Sequence, residues 1–333
     1  MAPWTWCVAL ASSVAPAASV LLQTESGPGK AFRQGKEPCS YDPRHPQSSR
    51  AGVPCLPSPK KYPYTTNSAW RSDLGDRIVA AVIPRVTEQD CGGVNCFGDS
   101  TWCLKAMNAN DVIGLSYGIE ERDLWSEKMA ANWKVPTRLF DCFQDPKTSP
   151  PLAHLARNGT PGCGDEDGPY CYAAPYQAFR TCIGPKKEVI QGRQFDTLSA
   201  ELAGRGPLSV HLKMDVEGSE WAVLEQLLNN EEELAKIRTL DMEVHFGSMA
   251  ISERDSNHLS NQEVLTHQTK ILEQLRKKLT VVGSTLEVYH EGWRPDQNCP
   301  TQQCREPPVH MPGGFSTTQF AVSYVNPAIL PEP

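Results

Sequence analysis

Three segments of the chain carry apolar residues at helical spacing. Apolar positions recur every three or four residues over 121–133, 219–228 and 261–279, which predicts three amphipathic helices. We expect the buried side chains of these helices to be Leu124, Trp125, Met129 and Trp133 in the first, Trp221, Leu224, Leu227 and Leu228 in the second, and Val264, Leu265, Ile271, Leu272, Leu275 and Leu279 in the third.

Short apolar runs lie between and around these helices. They predict strands over 111–117, 137–143, 176–183, 208–214, 240–246, 280–290 and 315–325. Because strands alternate with helices, we expect an α/β fold with a mostly parallel sheet covered on both faces.

The first 75 residues show a different pattern. Residues 4–22 form a long uncharged stretch with small residues near 17–19, so 1–22 is predicted to be a signal peptide or a signal anchor. The first basic residue is Lys30, and the missing positive segment leaves a cytosolic or organellar chain as the third alternative. Residues 23–75 are rich in Pro and Ser and predict a linker or stem. The globular domain is then expected over 76–330.

Composition limits the possible cellular locations of the protein and the classes of partner that it could bind. The net charge is -7 and no Lys/Arg-rich block occurs, which argues against a nucleic-acid partner. Most of the twelve cysteines lie in Gly/Pro/Asp-rich loops, so we expect disulfide bonds and a secretory location, secreted or in the ER or Golgi lumen. Two weaker signals are a zinc site at Cys91, Cys96 and Cys103 and a glycosylation sequon at Asn158.

The stretch IGLSYGIEERD, residues 113–123, has two interpretations. Residues 114–118 match G-x-S-x-G, the turn that carries the nucleophile of serine hydrolases, with Ser116 as the nucleophile. The same residues also fit a glycine turn between a first strand and a helix, where a nucleotide-like cofactor binds. Few ordered-looking residues and no HGGG-like oxyanion segment precede Ser116, which favours the second interpretation.

The residues that follow support a nucleotide-type site. The predicted second strand ends at Asp141, 23 residues after Gly118, which is the spacing of an acid that binds ribose hydroxyls. A G-x-G-x-x-G sequence is absent, and this argues against a NAD or FAD dehydrogenase.

Acidic residues follow two later strands. Asp215, Glu217 and Glu220 come after the strand at 208–214, and Glu243 lies at the end of the next strand. Because parallel strands end at one edge of a sheet, we expect these acids to converge there. His245, two residues after Glu243, is a candidate general base.

One of these segments resembles a known family. LKMDVEGSEWAVLEQLL, 212–228, is similar to the K-x-D-x-E-G-x-E-x-x-x-L motif of FkbM-type S-adenosylmethionine-dependent methyltransferases. Five further segments resemble that family in the same order: SYGIEERDLWSE (116–127), RLFDCFQDP (138–146), QFDTLSAEL (194–202), MEVHFG (242–247) and TTQFAVSYVN (317–326). The resemblance covers about residues 91–326. It implies a class I methyltransferase fold, which is a Rossmann-like three-layer sandwich whose seven-stranded, mostly parallel sheet has one antiparallel strand.

The resemblance also implies a function and a set of site residues. The expected reaction is methyl transfer from S-adenosylmethionine to a hydroxyl of a glycan or small molecule. The expected cofactor-binding residues are Ser116, Tyr117, Gly118, Ile119, Asp141, Cys142, Ile183, Gly184 and Asp215. The expected catalytic residues are Asp215, Glu217, Glu243 and His245.

Three alternatives stay open at this point. The fold could serve as a secreted binding module without activity, or Ser116 could act in a hydrolase. The acid cluster could also hold a divalent metal that lowers the pKa of the acceptor hydroxyl, although no ligand spacing in the sequence demands one and none is assigned.

Overall fold

The computed structural model describes residues 69–97, 100–119, 123–143, 174–246, 261–285, 309–311, 315–317 and 319–331. The predicted signal segment, most of the linker, the sequon at Asn158 and the cysteine-rich insert around Cys163 and Cys171 lie outside these residues. Within them, no helix is both long and apolar enough to cross a membrane.

The described part contains seven helices of the α type and fourteen strands. In chain order they are α1 (Ala69–Val82), β1 (Val94–Phe97), β2 (Ser100–Cys103), α2 (Leu104–Met107), β3 (Ile113–Tyr117), α3 (Leu124–Trp133), β4 (Thr137–Phe140), β5 (Tyr176–Phe179), β6 (Cys182–Ile183), β7 (Glu188–Ile190), β8 (Arg193–Asp196), α4 (Leu198–Leu202), β9 (Val210–Met214), α5 (Glu220–Leu228), α6 (Glu231–Leu234), β10 (Ile237–His245), α7 (Asn261–Lys278), β11 (Thr280–Ser284), β12 (Val309–Met311), β13 (Phe315–Thr317) and β14 (Gln319–Val325). A 3₁₀ turn follows at Pro327–Ile329.

A seven-stranded sheet forms the centre of the fold. Its strand order is β11-β14-β10-β9-β3-β4-β5. Strand β14 runs antiparallel to both of its neighbours, and β10, β9, β3, β4 and β5 are parallel to one another. The structure therefore confirms an α/β fold with a mostly parallel mixed sheet, which is compatible with a Rossmann-like fold. Three small sheets, β1-β2, β12-β13 and β6-β8-β7, lie outside it in the described residues.

One face of the sheet carries the main hydrophobic core. Side chains alternate along each strand, so Leu212 and Met214 of β9 lie on the same face as Leu240 and Met242 of β10. All four are buried. Helices α1, α4, α5 and α7 cover this face, and the predicted apolar stripes of α5 and α7 are buried as expected. A paired Arg77 and Glu273 links α1 to α7, with nitrogen-oxygen distances of 2.7 and 2.9 Å.

The opposite face is polar in its centre and is covered differently. Helix α3, the β1-β2 hairpin and α2 pack over it through a cluster around Trp102, Trp125 and Met129. A disulfide between Cys91 and Cys103 closes the hairpin. Helices or a hairpin therefore lie on both sides of the sheet, which places two layers of packing around one layer of strands.

Local differences from the sequence predictions have tertiary causes. Leu124, expected to be buried, is 45% exposed because it begins α3 at the rim of the sheet. Helix α1 spans residue 76, where the globular domain was expected to begin, and its Leu74 is buried in the main core. The predicted strands at 176–183 and 315–325 are each divided between two sheets.

Candidate functional site

The ends of three adjacent strands form one edge of the sheet. Tyr117, the last residue of β3, is in register with Met214, the last residue of β9, and Met214 is in register with Met242 of β10. The residues that follow β3 and β9 and those that end β10 therefore meet at this edge, as the sequence predicted for its acids. In open α/β sheets this is the edge where ligands bind.

Gly118 turns the chain away from β3 at this edge. Its φ is +76°, and a Cβ there would lie 1.6 Å from the backbone carbonyl oxygen of Asp215. The Asp215 N–H in turn donates to the carbonyl of Tyr117 at 3.0 Å, and the Lys213 ammonium donates to the carbonyl of Gly118. Glycine is therefore required at this position by the close approach of two protein loops.

Two carboxylates and one imidazole converge next to this turn. The Nε2 atom of His245 lies 3.9 Å from Oδ1 of Asp215 and 3.7 Å from Oε1 of Glu217. Each of these residues offers one ligand atom, and the three atoms lie within 4.8 Å of one another. The structure thus brings together three of the four residues that were expected to be catalytic.

A fourth acid, Glu220, holds the histidine in place. Glu220 is fully buried, and its Oε1 accepts hydrogen bonds from the backbone N–H of His245 at 3.1 Å and from Nδ1 at 3.2 Å. Its other oxygen accepts from the N–H of Gly218 at 2.7 Å. From the sequence, Glu220 was expected to lie with the other acids at this edge. Its contact with a residue 25 positions away required the folded structure.

The charge state of His245 follows from these contacts. Burial lowers the pKa of its imidazole, but the hydrogen bond and negative charge of Glu220 raise that pKa to about 9. The charges of Glu243 and Glu217 act in the same direction. At neutral pH the imidazole is therefore protonated and cannot accept a proton from a substrate.

A cavity of about 260 Å³ lies beside this cluster, between the polar face of the sheet and the start of α3. Its charged lining includes Asp123, Lys213, Asp215 and Glu243. Glu243 accepts a hydrogen bond from the side-chain amide of Gln319 at 2.9 Å. Glu243 and Asp215 are the two expected catalytic residues that face this cavity.

Asp241 lies in the wall of the same cavity and is 3% exposed. Its carboxylate accepts hydrogen bonds from the indole N–H of Trp102 and Trp125 at 3.1 and 2.9 Å and from the hydroxyl of Ser323 at 2.6 Å. Burial raises the pKa of Asp241 to about 6, although these hydrogen bonds oppose the shift. The contacts attach the β1-β2 hairpin and α3 to the centre of the sheet.

The end of β4 forms the other half of the edge. The two carboxylate oxygens of Asp141 accept hydrogen bonds from the N–H of Ile119 at 3.0 Å and of Phe143 at 2.8 Å. Cys142 is disulfide-bonded to Cys182, which joins the loop after β4 to β6. Phe143 was not predicted as a site residue. Its ring is 60% exposed beside Asp141, an unusual position for a large aromatic residue.

The remaining expected cofactor residues are mostly inside the protein. Tyr117, Ile119, Ile183 and Gly184 are buried, and Ile183 belongs to the main core.

Ser116 occupies a position that does not suit a nucleophile. It lies within β3, it is fully buried, and its hydroxyl has no hydrogen-bond partner among the described residues. A catalytic serine needs a base within hydrogen-bonding distance and an exposed oxygen. The geometry therefore gives the hydrolase hypothesis no support.

Disulfide bonds are confirmed in the described residues. Cys91 pairs with Cys103, Cys142 pairs with Cys182, and Cys96 is also disulfide-bonded. The suggested zinc site at Cys91, Cys96 and Cys103 is therefore wrong, because disulfide sulfurs are not the thiolates that zinc requires. Structural disulfides persist in oxidising compartments, in agreement with the predicted secretory location.

Fold and site together define an α/β protein with an acid-lined pocket and an adjacent cluster of Asp215, Glu217 and His245 at the carboxyl edge of its sheet. Comparisons of the chain with protein-family models, with curated proteins and with solved structures found no match.

Proposed function

We propose that this protein is an S-adenosylmethionine-dependent methyltransferase that methylates a hydroxyl of a glycan or small molecule in the secretory pathway. The observation that carries the proposal is the meeting of Asp215, Glu217 and His245 beside the Gly118 turn. A seven-stranded sheet with one antiparallel strand agrees with the fold that the family resemblance implied.

The residues at the end of β4 suit an adenosyl group. Asp141 offers carboxylate oxygens at the strand end, and each such oxygen can accept more than one hydrogen bond. Phe143 offers an exposed aromatic ring next to it, although the Arg193 guanidinium lies over that ring at 4.5 Å. When bound, S-adenosylmethionine supplies an electrophilic methyl group on a sulfonium sulfur.

The cavity on the β9-β10 side suits the acceptor. Lys213 and the carboxylates of Asp215 and Glu243 line it and can hold a hydroxyl in one orientation. If this hydroxyl were methylated, Asp215 or Glu243 would accept the proton that its oxygen releases. His245 is not the base in this scheme, because it already carries a proton at neutral pH.

Calorimetric titration of the secreted full chain with S-adenosylmethionine and S-adenosylhomocysteine tests the cofactor step. We expect Asp141→Asn to weaken binding by about 10- to 100-fold, since a hydrogen bond to a charged group contributes roughly 1.5–3 kcal/mol. Asp90→Asn is the matched control, because Asp90 also accepts a backbone hydrogen bond, from Thr87, but precedes β1 and does not line the cavity. The control should bind as the wild type does.

Two results would contradict the proposal. Folded wild-type protein that binds neither compound would favour a binding module without this activity. Labelling of Ser116 by a fluorophosphonate would instead favour the hydrolase.

A further inference from the structure

The ligand atoms of Asp215, Glu217 and His245 come from two different strand ends. Asp215 and Glu217 follow β9, whereas His245 is the last residue of β10. The distances from Nε2 of His245 to the two carboxylates, 3.9 and 3.7 Å, are too long for hydrogen bonds. The three side chains therefore face a common point without bonding to one another.

His245 is the buried member of the group. Its side chain is 5% exposed, and its Nε2 atom makes no hydrogen bond to any described residue. The Nδ1 atom faces Glu220 at 3.2 Å, so a hydrogen on Nδ1 is directed to that carboxylate and Nε2 is directed between the two acids. Pairing of a histidine with a carboxylate through its second nitrogen is the usual way in which a metal-binding imidazole is oriented.

The support behind His245 is rigid. Glu220 is fully buried and is fixed by the N–H of Gly218. The next residue, Trp221, donates its indole N–H to the carbonyl of His245 at 3.0 Å. The first turn of α5 thus holds both the side chain and the backbone of the last residue of β10.

The charges around the point are unbalanced. Asp215 and Glu217 face it directly, and the buried Glu220 stands behind the imidazole. Lys213 lies 3.5 Å from Asp215 Oδ2 but also donates to the carbonyl of Gly118. These three carboxylates outnumber the positive charges of Lys213 and the protonated His245, and a divalent cation that replaced the Nε2 proton would neutralise the two facing carboxylates.

We propose that Asp215, Glu217 and His245 bind a divalent transition-metal ion, with Glu220 as the positioning residue for the histidine. Two carboxylate oxygens and one imidazole nitrogen favour ions such as Mn²⁺, Fe²⁺, Co²⁺ or Zn²⁺ over Ca²⁺ or Mg²⁺, which prefer oxygen ligands alone. Ligands bound about 2.1 Å from one ion lie roughly 3.0–3.4 Å apart, so the group must contract by less than 1 Å along the two measured distances. Glu217, whose side chain is 76% exposed, is free to make that movement.

A metal with three protein ligands keeps positions for water or substrate. The site is next to the cavity that Asp215 lines. If the proposed methyl transfer is correct, an acceptor hydroxyl bound to the ion would lose its proton more readily. This role rests on the proposed function, but the existence of the metal site does not.

Metal binding by the full chain, stripped with a chelator and free of S-adenosylmethionine, tests the site. We expect calorimetry with Mn²⁺ and with Co²⁺ to show one ion bound per chain. Glu217→Gln should lower the affinity at least tenfold, and Glu220→Gln should lower it about 10- to 100-fold, as supporting carboxylates do in known metal sites. In the Co²⁺-loaded protein, His245→Gln should change the visible absorption spectrum, because a nitrogen ligand is replaced.

Glu225→Gln provides the matched control. Glu225 lies 3.5 Å from Nε2 of His267 on the exposed surface, so it is also a carboxylate beside an imidazole, but outside the cluster. The control should bind the ions like the wild type. Folded wild-type protein that binds no ion, or Glu217→Gln and wild type that bind equally well, would overturn the inference. Ion binding without binding of S-adenosylmethionine would overturn the proposed function and leave the metal site standing.

Discussion

A substitution of Gly118 by alanine tests the packing at the centre of the site. The new Cβ would lie 1.6 Å from the carbonyl oxygen of Asp215 and 2.7 Å from its carbonyl carbon. The two backbones would have to separate by about 1.4 Å to reach even a 3.0 Å contact. That movement would break the hydrogen bond from the Asp215 N–H to Tyr117.

A second glycine isolates this effect. Gly192, in the turn between β7 and β8, has the same φ of +76°, but nothing lies within 4 Å of the position of its Cβ. Alanine at either position incurs the same left-handed backbone penalty, about 1–2 kcal/mol. Both substitutions also reduce the freedom of the unfolded chain by the same amount.

The difference between the two variants in the free energy of unfolding therefore reports the cost of the steric clash with Asp215 alone. Forcing atoms into a packed site costs about 1–3 kcal/mol, and the lost hydrogen bond adds about 1 kcal/mol. We expect Gly118→Ala to lower the free energy of unfolding by roughly 2–4 kcal/mol more than Gly192→Ala does. Urea denaturation of the oxidised full chain, followed by circular dichroism, gives both values. Equal losses in the two variants would refute the packing argument.

Three further predictions concern stability. The pKa of Asp241 is raised to about 6 in the folded protein, so its stabilising contribution is complete below the unfolded value of about 4 and is lost as the pH rises through 6. The free energy of unfolding of Asp241→Asn, relative to that of the wild type, should therefore rise by up to about 3 kcal/mol between pH 4 and pH 7. Parallel pH profiles of stability for the two proteins would contradict this. Replacing Cys142 and Cys182 together by serine should cost about 4 kcal/mol, because the disulfide closes a loop with a sequence separation of 40; a loss under 1 kcal/mol in denaturation would argue against it. Ser116→Ala removes a buried hydroxyl without a partner, so the stability should stay equal or rise by about 1 kcal/mol, and a clear loss in the melting experiment would show an unrecognised bond.

The candidate site was predictable to the extent that strand ends were predictable. The apolar runs before Asp215 and Glu243 identified two strands, and parallel strands bring their carboxyl ends to one edge. Glu220 and Phe143 were not recognised in their roles. The partner of Glu220 is 25 residues away, and the exposure of Phe143 depends on the path of the loop that the Cys142–Cys182 disulfide holds.

One sequence prediction, the burial of Leu124, was wrong for a similar reason. The helical period grouped Leu124 with buried Trp125, but it does not show where along its length a helix leaves the sheet. The G-x-S-x-G pattern alone also matches a nucleophile turn, an interpretation that the surrounding sequence already disfavoured, and in the structure the residues through Tyr117 belong to a buried strand.

The sequence by itself determined the alternation of helices and strands, the buried stripes of α5 and α7, and the acidic character of one sheet edge. These properties depend on residues a few positions apart, and hydrophobic spacing records them directly. Only the tertiary structure decided the strand order, the disulfide pairs, the burial of Ser116 and the orientation of His245 by Glu220. Such features arise from contacts between distant segments, whose energies are set by the packing of the whole domain.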